Sequence, residues 1–371
     1  MFDFDIFMPV RVVSGNNAIF NNSALLKTLG TKALIVTGAA SARKSGALGD
    51  LETALSKEGI DYRVFDGIGQ NPLISSCHAA GEQARSMGAD FIIGVGGGSP
   101  LDAAKAVAIY AANKDLTPED IYRRVYNNEP LPVALVGTTA GTGSEVTAVS
   151  VLTVDSTGRK KSISGPDCYA EIAFADPEYT YSVPYDITVS TALDAFCHAA
   201  EAWFTPQCTG VNKLYASAGL KILWEEIKAF EKDTLPSDAA RDNLYAGSLY
   251  AGLAINLCGT AFPHPLGYVL TENYGVPHGK ACAMFLPAFL ERARRFEKEK
   301  SREMRDITGS DFEEVSAAAI ELTALPDIRI SANEAKEYAQ RWAEQVPKNF
   351  VNSPGGMTAE EAQVILEQLN R

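Results

Sequence analysis

The hydrophobic period of this chain changes near residue 188, and that change limits its fold more than any other feature. Before it, short β-branched runs alternate with helical patterns: ALIVTG at 33–38, YRVF at 62–65, FIIGV at 91–95 and PVALVG at 132–137. Such alternation predicts a parallel sheet covered by helices. A strand pair near VSVLTVD and KKSISG and a last strand near EIAFAD complete the set. From Thr188 onward the strand patterns stop and apolar residues recur at helical spacing, as in VNKLYASAGLKILWEEIKAF. A length of 371 residues exceeds the usual size of a single core, so two domains are expected, an α/β domain over 1–183 and an all-helical one over 184–371.

Two loops of the α/β half invite a ligand. In FIIGVGGGSPLDAAKAVAIY three glycines follow a buried strand, with Ser99 expected as N-cap, Pro100 at the first helical position and Asp102 in the first turn. Glycines let a phosphate approach the backbone, and a helix N-terminus with its partial charge of roughly +0.5 attracts an anion. The spacing is not the G-x-G-x-x-G fingerprint, so read alone the loop is a tight turn before it is a phosphate site. The second loop, TTAGTGSEVT from Thr138 to Thr147, crowds two glycines and five hydroxyl side chains into ten residues. Alone it reads as a Ser/Thr-rich turn; two such loops after strands of one sheet suggest a shared ligand.

Three of only four histidines fall between residues 194 and 278. Asp194 and His198 stand in TALDAFCHAAEAW, where an i, i+4 pair projects from one helix face. His264 follows GTAFP and His278 opens HGKACAMFLP, each beside Pro or Gly, where helices begin. One carboxylate and three imidazoles suit Fe(II), Zn(II) or a similar ion without choosing among them. The other reading is that each histidine is satisfied by a neighbouring carbonyl. The fourth, His78, sits in the helical pattern SSCHAAGEQARSMG and reads as a surface residue.

A net charge of −13 argues against nucleic acid and anionic membrane surfaces, which need a basic face. The N-terminal MFDFDIFMPV carries acids and lacks a basic region, so it does not read as a secretory signal, and a cytoplasmic protein is expected. Six cysteines without C-x-x-C spacing fit reduced thiols better than a disulfide framework. The stretch RARRFEKEKSREMRD reads as a solvated helix face, and Thr358-x-x-Glu361 as a capping box opening the final helix.

The loop GGGSPLD, the loop TTAGTGSE, the helix DAFCHAAEAW and the closing PHGKACAMFLP together resemble the iron-containing (group III) alcohol dehydrogenases, of the 1,3-propanediol dehydrogenase and lactaldehyde reductase type. The resemblance runs over nearly the whole chain. It implies a dehydroquinate synthase-like two-domain fold, with a dinucleotide-binding domain at 1–183, a metal-binding and substrate domain at 184–371, and a homo-oligomer, a dimer. It implies Asp194, His198, His264 and His278 as ligands of Fe2+, with Zn2+ as the alternative. Gly97, Gly98 and Ser99 would meet the cofactor pyrophosphate, with Asn71, Asp102, Thr138, Thr139, Thr142, Thr147 and Lys161 completing the cofactor site. The implied reaction moves hydride between a nicotinamide and a small primary alcohol, diol or aldehyde.

Two departures from the family pattern matter. Many relatives carry Asp after the strand equivalent to ALIVT, where it bonds the adenosine ribose; this chain has Gly38, followed by Ser41, Arg43 and Lys44. Removing an anion and adding donors favours NADP(H) over NAD(H). Four residues after His264, where many relatives carry a further non-ligand histidine, this chain has Tyr268, a candidate catalytic residue whose hydroxyl titrates near pH 10 when unperturbed. A dehydroquinate synthase-like lyase is the competing class, but it needs several basic residues for a phosphorylated substrate, and the surroundings of His264 and His278 lack them. A glycerol dehydrogenase-type polyol oxidoreductase is the other alternative.

Overall fold

In the computed structural model, residues 6–324 and 328–370 are described. The first five residues of the acidic N-terminal stretch lie outside them. The chain divides into two compact units, one of Phe7–Val183 and one of Pro184–Arg371, with which Ile6 groups.

The first unit is built on β1 (Arg11–Ser14), β2 (Lys32–Thr37), β3 (Asp61–Phe65), β4 (Phe91–Gly96), β5 (Val133–Gly137) and β8 (Ile172–Ala175). They form one sheet in the order β1-β8-β5-β4-β2-β3 with every pairing parallel. β6 (Val149–Val154) and β7 (Arg159–Ser164) make a separate antiparallel hairpin. The central strands β4 and β5 are buried along their whole length, which is why they read as unbroken apolar runs. β1 was not expected. It is a four-residue edge strand, mostly exposed, and so carries no burial pattern to detect.

Five α-helices belong to this unit, besides short 3-10 turns: α1 (Ala18–Asn21), α2 (Ser41–Lys44), α3 (Ala47–Glu58), α4 (Ile74–Met87) and α5 (Gly98–Ala112). α3 and α4 each end on a glycine, Gly59 and Gly88, at φ of 70°. That left-handed conformation is one only glycine adopts without strain, and it closes the helix. α5 corrects the sequence expectation: it begins at Gly98 with Gly97 as N-cap, so Ser99 and Pro100 lie inside the first turn and Asp102 in the second. Gly96, at φ of 149°, makes the turn by itself, and the Ser99 hydroxyl is engaged elsewhere, accepting from the Asn71 N–H at 3.2 Å. His78 is also corrected. It is half-buried, with Nε2 2.9 Å from the Leu116 carbonyl oxygen and its ring edge-on to Tyr110.

The sheet order places the reversal of winding between β2 and β4: β3 lies on one side of β2, while β4 and β5 lie on the other. In open parallel sheets ligands collect at the carboxyl ends of the strands flanking such a reversal. Here those ends are Thr37–Gly38 and Gly96–Gly97, cross-linked by a 2.8 Å bond from the Thr37 hydroxyl to the Val95 carbonyl.

In the second unit every regular element among the described residues is helical. These are α6 (Tyr185–Phe204), α7 (Val211–Ile227), α8 (Asp238–Cys258), α9 (Pro263–Tyr274), α10 (His278–Ala283), α11 (Leu286–Phe296), α12 (Lys298–Thr308), α13 (Phe312–Thr323), α14 (Ala332–Gln345), α15 (Pro347–Asn352) and α16 (Ala359–Glu367). α6 is the hub, buried almost all round from Thr188 to Phe204. α16 opens on the expected Thr358–Glu361 capping box. The charged stretch 292–306 is less solvated than its composition suggests: it breaks into α11 and α12 at Glu297, Arg292 pairs with Glu361 at 2.9 Å, and Lys300 donates to the Thr205 carbonyl at 2.7 Å. Among the described residues no helix is long and apolar enough to cross a membrane.

Candidate metal centre and dinucleotide loops

Asp194, His198 and Glu201 occupy positions i, i+4 and i+7 of α6 and therefore share one face. All three are buried. His264 is the second residue of α9, after Pro263, whose missing N–H costs nothing at a helix start. His278 is the first residue of α10, following Pro277. The next residue, Gly279, is what lets α10 approach α6. A Cβ there would overlap the Ser190 carbonyl oxygen and come within 2.8 Å of the Asp194 Cβ.

These placements bring Asp194 Oδ1 to 3.8 Å from His264 Nε2 and to 3.8 Å from His278 Nε2. Neither distance is a hydrogen bond. Ligands about 2.1 Å from one ion stand roughly 3–4 Å from each other, so the separations suit a shared cation. His198 lies face to face with His264, ring centroids 4.5 Å apart. The group whose ligand atoms all fall within 4.8 Å of one another is Asp194, His264, His278 and Cys282. Carboxylate oxygen, imidazole nitrogen and sulfur are donors that borderline divalent ions accept, so the residues fit such an ion.

Glu201 was missed by the sequence reading. Its Oε1 is 2.6 Å from His264 Nδ1 and its Oε2 accepts from the Ala261 N–H at 2.8 Å. Burial pushes the Glu201 carboxyl up, and the His264 and Ala261 bonds pull it back part of the way. A carboxylate on the far nitrogen of an imidazole fixes which nitrogen faces an ion and in which plane the ring lies. The signal was present as the i+7 spacing from Asp194. Tyr268 stacks on His278 with centroids 5.1 Å apart and planes 12° apart, and its centroid is also 5.1 Å from that of Trp342, at 40°.

In the first unit the two loops lie against each other. A Cβ on Gly98 would come within 2.6 Å of the Thr142 methyl and force a shift there, and one on Gly97 would come within 3.1 Å of the Thr139 hydroxyl, a tighter but yielding contact. The Thr138 N–H donates to the Gly96 carbonyl at 2.9 Å, and Asn71, at φ of 56°, joins through its bond to Ser99. Gly38, Ser41 and Lys44 follow β2 on the other side of the winding reversal.

Asp102 and Thr147 are turned inward. Asp102 accepts from the Ser144 hydroxyl at 2.5 Å and the Val151 N–H at 2.8 Å. The buried Lys105 ammonium donates to the carbonyls of Ser144, Thr147 and Val149 at 2.7, 3.0 and 2.7 Å. This network ties the second loop to α5. Lys161 lies on β7, its ammonium over the Tyr122 ring at 4.5 Å.

Residues 9–177 match the family described as iron-containing alcohol dehydrogenase, and residues 188–346 match the Fe-containing alcohol dehydrogenase family, C-terminal. The chain belongs to the iron-containing alcohol dehydrogenase family. It is an oxidoreductase acting on CH–OH groups, with alcohol or aldehyde substrates. The enzyme is 32% identical to 1,3-propanediol dehydrogenase of Citrobacter freundii over 338 residues, 89% of this chain and 86% of that one. It superposes on an iron-containing alcohol dehydrogenase from Thermotoga maritima with a TM-score of 0.90 at 34% identity, covering 99% of each chain. A sulfoacetaldehyde reductase from Bifidobacterium kashiwanohense in complex with NAD+ gives a TM-score of 0.88 at 27% identity, covering 100% of this chain and 99% of that one.

Proposed function

We propose that the enzyme interconverts small primary alcohols or diols and their aldehydes with NADP(H) in preference to NAD(H), using a divalent ion held by Asp194, His198, His264 and His278. The observation that supports this most is the convergence of Asp194 Oδ1 on the Nε2 atoms of His264 and His278, at 3.8 Å each, in a buried setting.

When bound, the ion supplies Lewis acidity at the substrate oxygen, and the nicotinamide supplies or accepts hydride at the adjacent carbon. The protein's part is to position and to exclude water. Glu201 holds His264 in the tautomer with Nε2 facing Asp194. Tyr268 holds the plane of the His278 ring by stacking on it. The α5 N-terminus with Gly97 and Gly98 offers N–H groups to a pyrophosphate, and Thr138, Thr139 and Thr142 border it. At the end of β2, Gly38 presents no anion, and the exposed Ser41, Arg43 and Lys44 offer donors to a ribose 2′-phosphate.

The test is oxidation of NADPH and NADH over a panel of short aldehydes, by metal-loaded wild type and by Gly38→Asp. A Cβ at residue 38 comes 3.1 Å from the Ile68 carbonyl oxygen and 4.0 Å from the Ser41 hydroxyl, so the variant is expected to fold with a small adjustment. Wild type should show the higher kcat/KM with NADPH, and Gly38→Asp should shift that ratio toward NADH by about ten-fold or more. Equal use of both cofactors by wild type, with no shift in the variant, contradicts the assignment of Gly38.

A further inference from the structure

A lysine with no exposed side-chain surface needs a reason, because an ammonium taken out of water is unstable unless its protons are matched. Lys105 on α5 is such a residue. Burial acts against its charge, and Asp102, with Oδ1 3.8 Å from Nζ, acts to keep it. The ammonium gathers the carbonyls of Ser144, Thr147 and Val149 to one side of the second glycine loop and its exit, and also donates to the Ser144 hydroxyl at 2.9 Å. Ser144 is the residue it holds most fully. The Ser144 carbonyl and hydroxyl both accept from Lys105, the hydroxyl hydrogen goes to Asp102 at 2.5 Å, and the N–H donates to the Thr142 hydroxyl oxygen at 3.2 Å.

That last bond decides how Thr142 can act. A hydroxyl that accepts on one lone pair has its own hydrogen directed away from the donor, so Thr142 is set to donate on the side facing away from Ser144. The same side chain lies against the first turn of α5, where a Cβ on Gly98 would fall 3.0 Å from the Thr142 oxygen and 2.6 Å from its methyl. The hydroxyl therefore stands beside the N–H groups that open α5. We propose that Lys105 is a positioning residue for the dinucleotide, which touches no cofactor atom and acts through Ser144 to aim the Thr142 hydroxyl at the pyrophosphate. This rests on the reading of the α5 N-terminus as the pyrophosphate site, and adds the buried residue that sets the second loop against it.

NADPH binding to the full-length protein, followed by the change in NADPH fluorescence, reads this without turnover. Thr142→Val is expected to raise the Kd about ten-fold, the worth of one hydrogen bond to a charged group. Lys105→Met should raise it by a similar factor. Ser144→Ala, which disturbs the same relay while leaving the buried charge in place, should act in the same direction and guards against a Lys105 variant that fails to fold. In the Thr142→Val background, neither Lys105→Met nor Ser144→Ala should add more than about two-fold, because all three changes act on one hydroxyl. A merely structural lysine gives a different pattern, in which Tm falls while the Kd of both single variants stays at the wild-type value. That pattern, or effects that multiply fully with Thr142→Val, overturns the role of Lys105 and leaves the pyrophosphate reading standing. An unchanged Kd in Thr142→Val removes Thr142 from the site and the proposal with it, and wild type that binds neither NADPH nor NADH overturns the dinucleotide reading itself.

Discussion

Glu201 shows how much one buried carboxylate can decide. Its two oxygens are committed to His264 and to the Ala261 N–H two residues ahead of α9, so a single side chain holds both the ring and the approach to the helix that bears it. Glu201→Gln keeps the shape but removes the charge, and carboxylates behind metal-bound imidazoles are each worth about 10–100-fold in metal affinity. A loss of that size is expected in competition titrations against a chelator; unchanged affinity shows that His264 needs no such support. Asp90 does comparable work for the sheet. It accepts from the Thr31 N–H and hydroxyl and the Lys32 N–H at 2.8, 2.9 and 2.8 Å, joining the start of β2 to the residue before β4. Burial acts to raise its carboxyl, but these bonds outweigh it and hold the group below the usual carboxylate range. A depressed carboxylate stabilises the fold above its unfolded pKa of about 3.9, and that stability is lost as pH falls through the lower folded value. Asp90→Asn is therefore expected to cost about 1 kcal/mol at neutral pH, and its deficit against wild type should shrink below about pH 4. A deficit that is the same at pH 7 and pH 3 in urea unfolding contradicts this.

At the scale of elements, the site depends on how closely α10 can lie against α6. Gly279 sets that distance, since any side chain there strikes the Ser190 carbonyl and the Asp194 side chain. Gly279→Ala is expected to push His278 away from Asp194, lowering metal content at least ten-fold and the Tm by several degrees. Wild-type metal content in the variant means that α10 tolerates displacement. The strands and long helices were legible because their periodicities are strong: FIIGV and PVALVG are buried on both faces, and the glycines after α3 and α4 mark their ends. The start of α5 was misread because Ser99 and Pro100 mimic a cap, while the real turn is made by the φ of Gly96, which no side chain signals. The edge strand RVVS was invisible because it buries almost nothing. Glu201 lies in a quoted motif, but its role depends on α9 packing against α6 so that His264 Nδ1 comes to 2.6 Å, and no spacing within either motif signals that packing.

For the molecule as a whole, the change of period near residue 188 corresponds to two units of different architecture, with the strands confined, among the described residues, to the first. The family resemblance carried by four motifs agrees with matches over residues 9–177 and 188–346. Substrate identity was not legible, because it depends on the shape and polarity of a pocket rather than on the spacing of ligands. The central claim is that Asp194 and the three histidines hold an ion without which the alcohol–aldehyde reaction does not proceed. Its most direct test is aldehyde-dependent NADPH oxidation by one anaerobic preparation, assayed as purified, after removal of metal by a chelator, and after readdition of one equivalent of Fe(II) or Zn(II). The rate should fall by at least about a thousand-fold on removal and return with the ion, whereas a stripped protein that oxidises NADPH at the original rate would contradict the account.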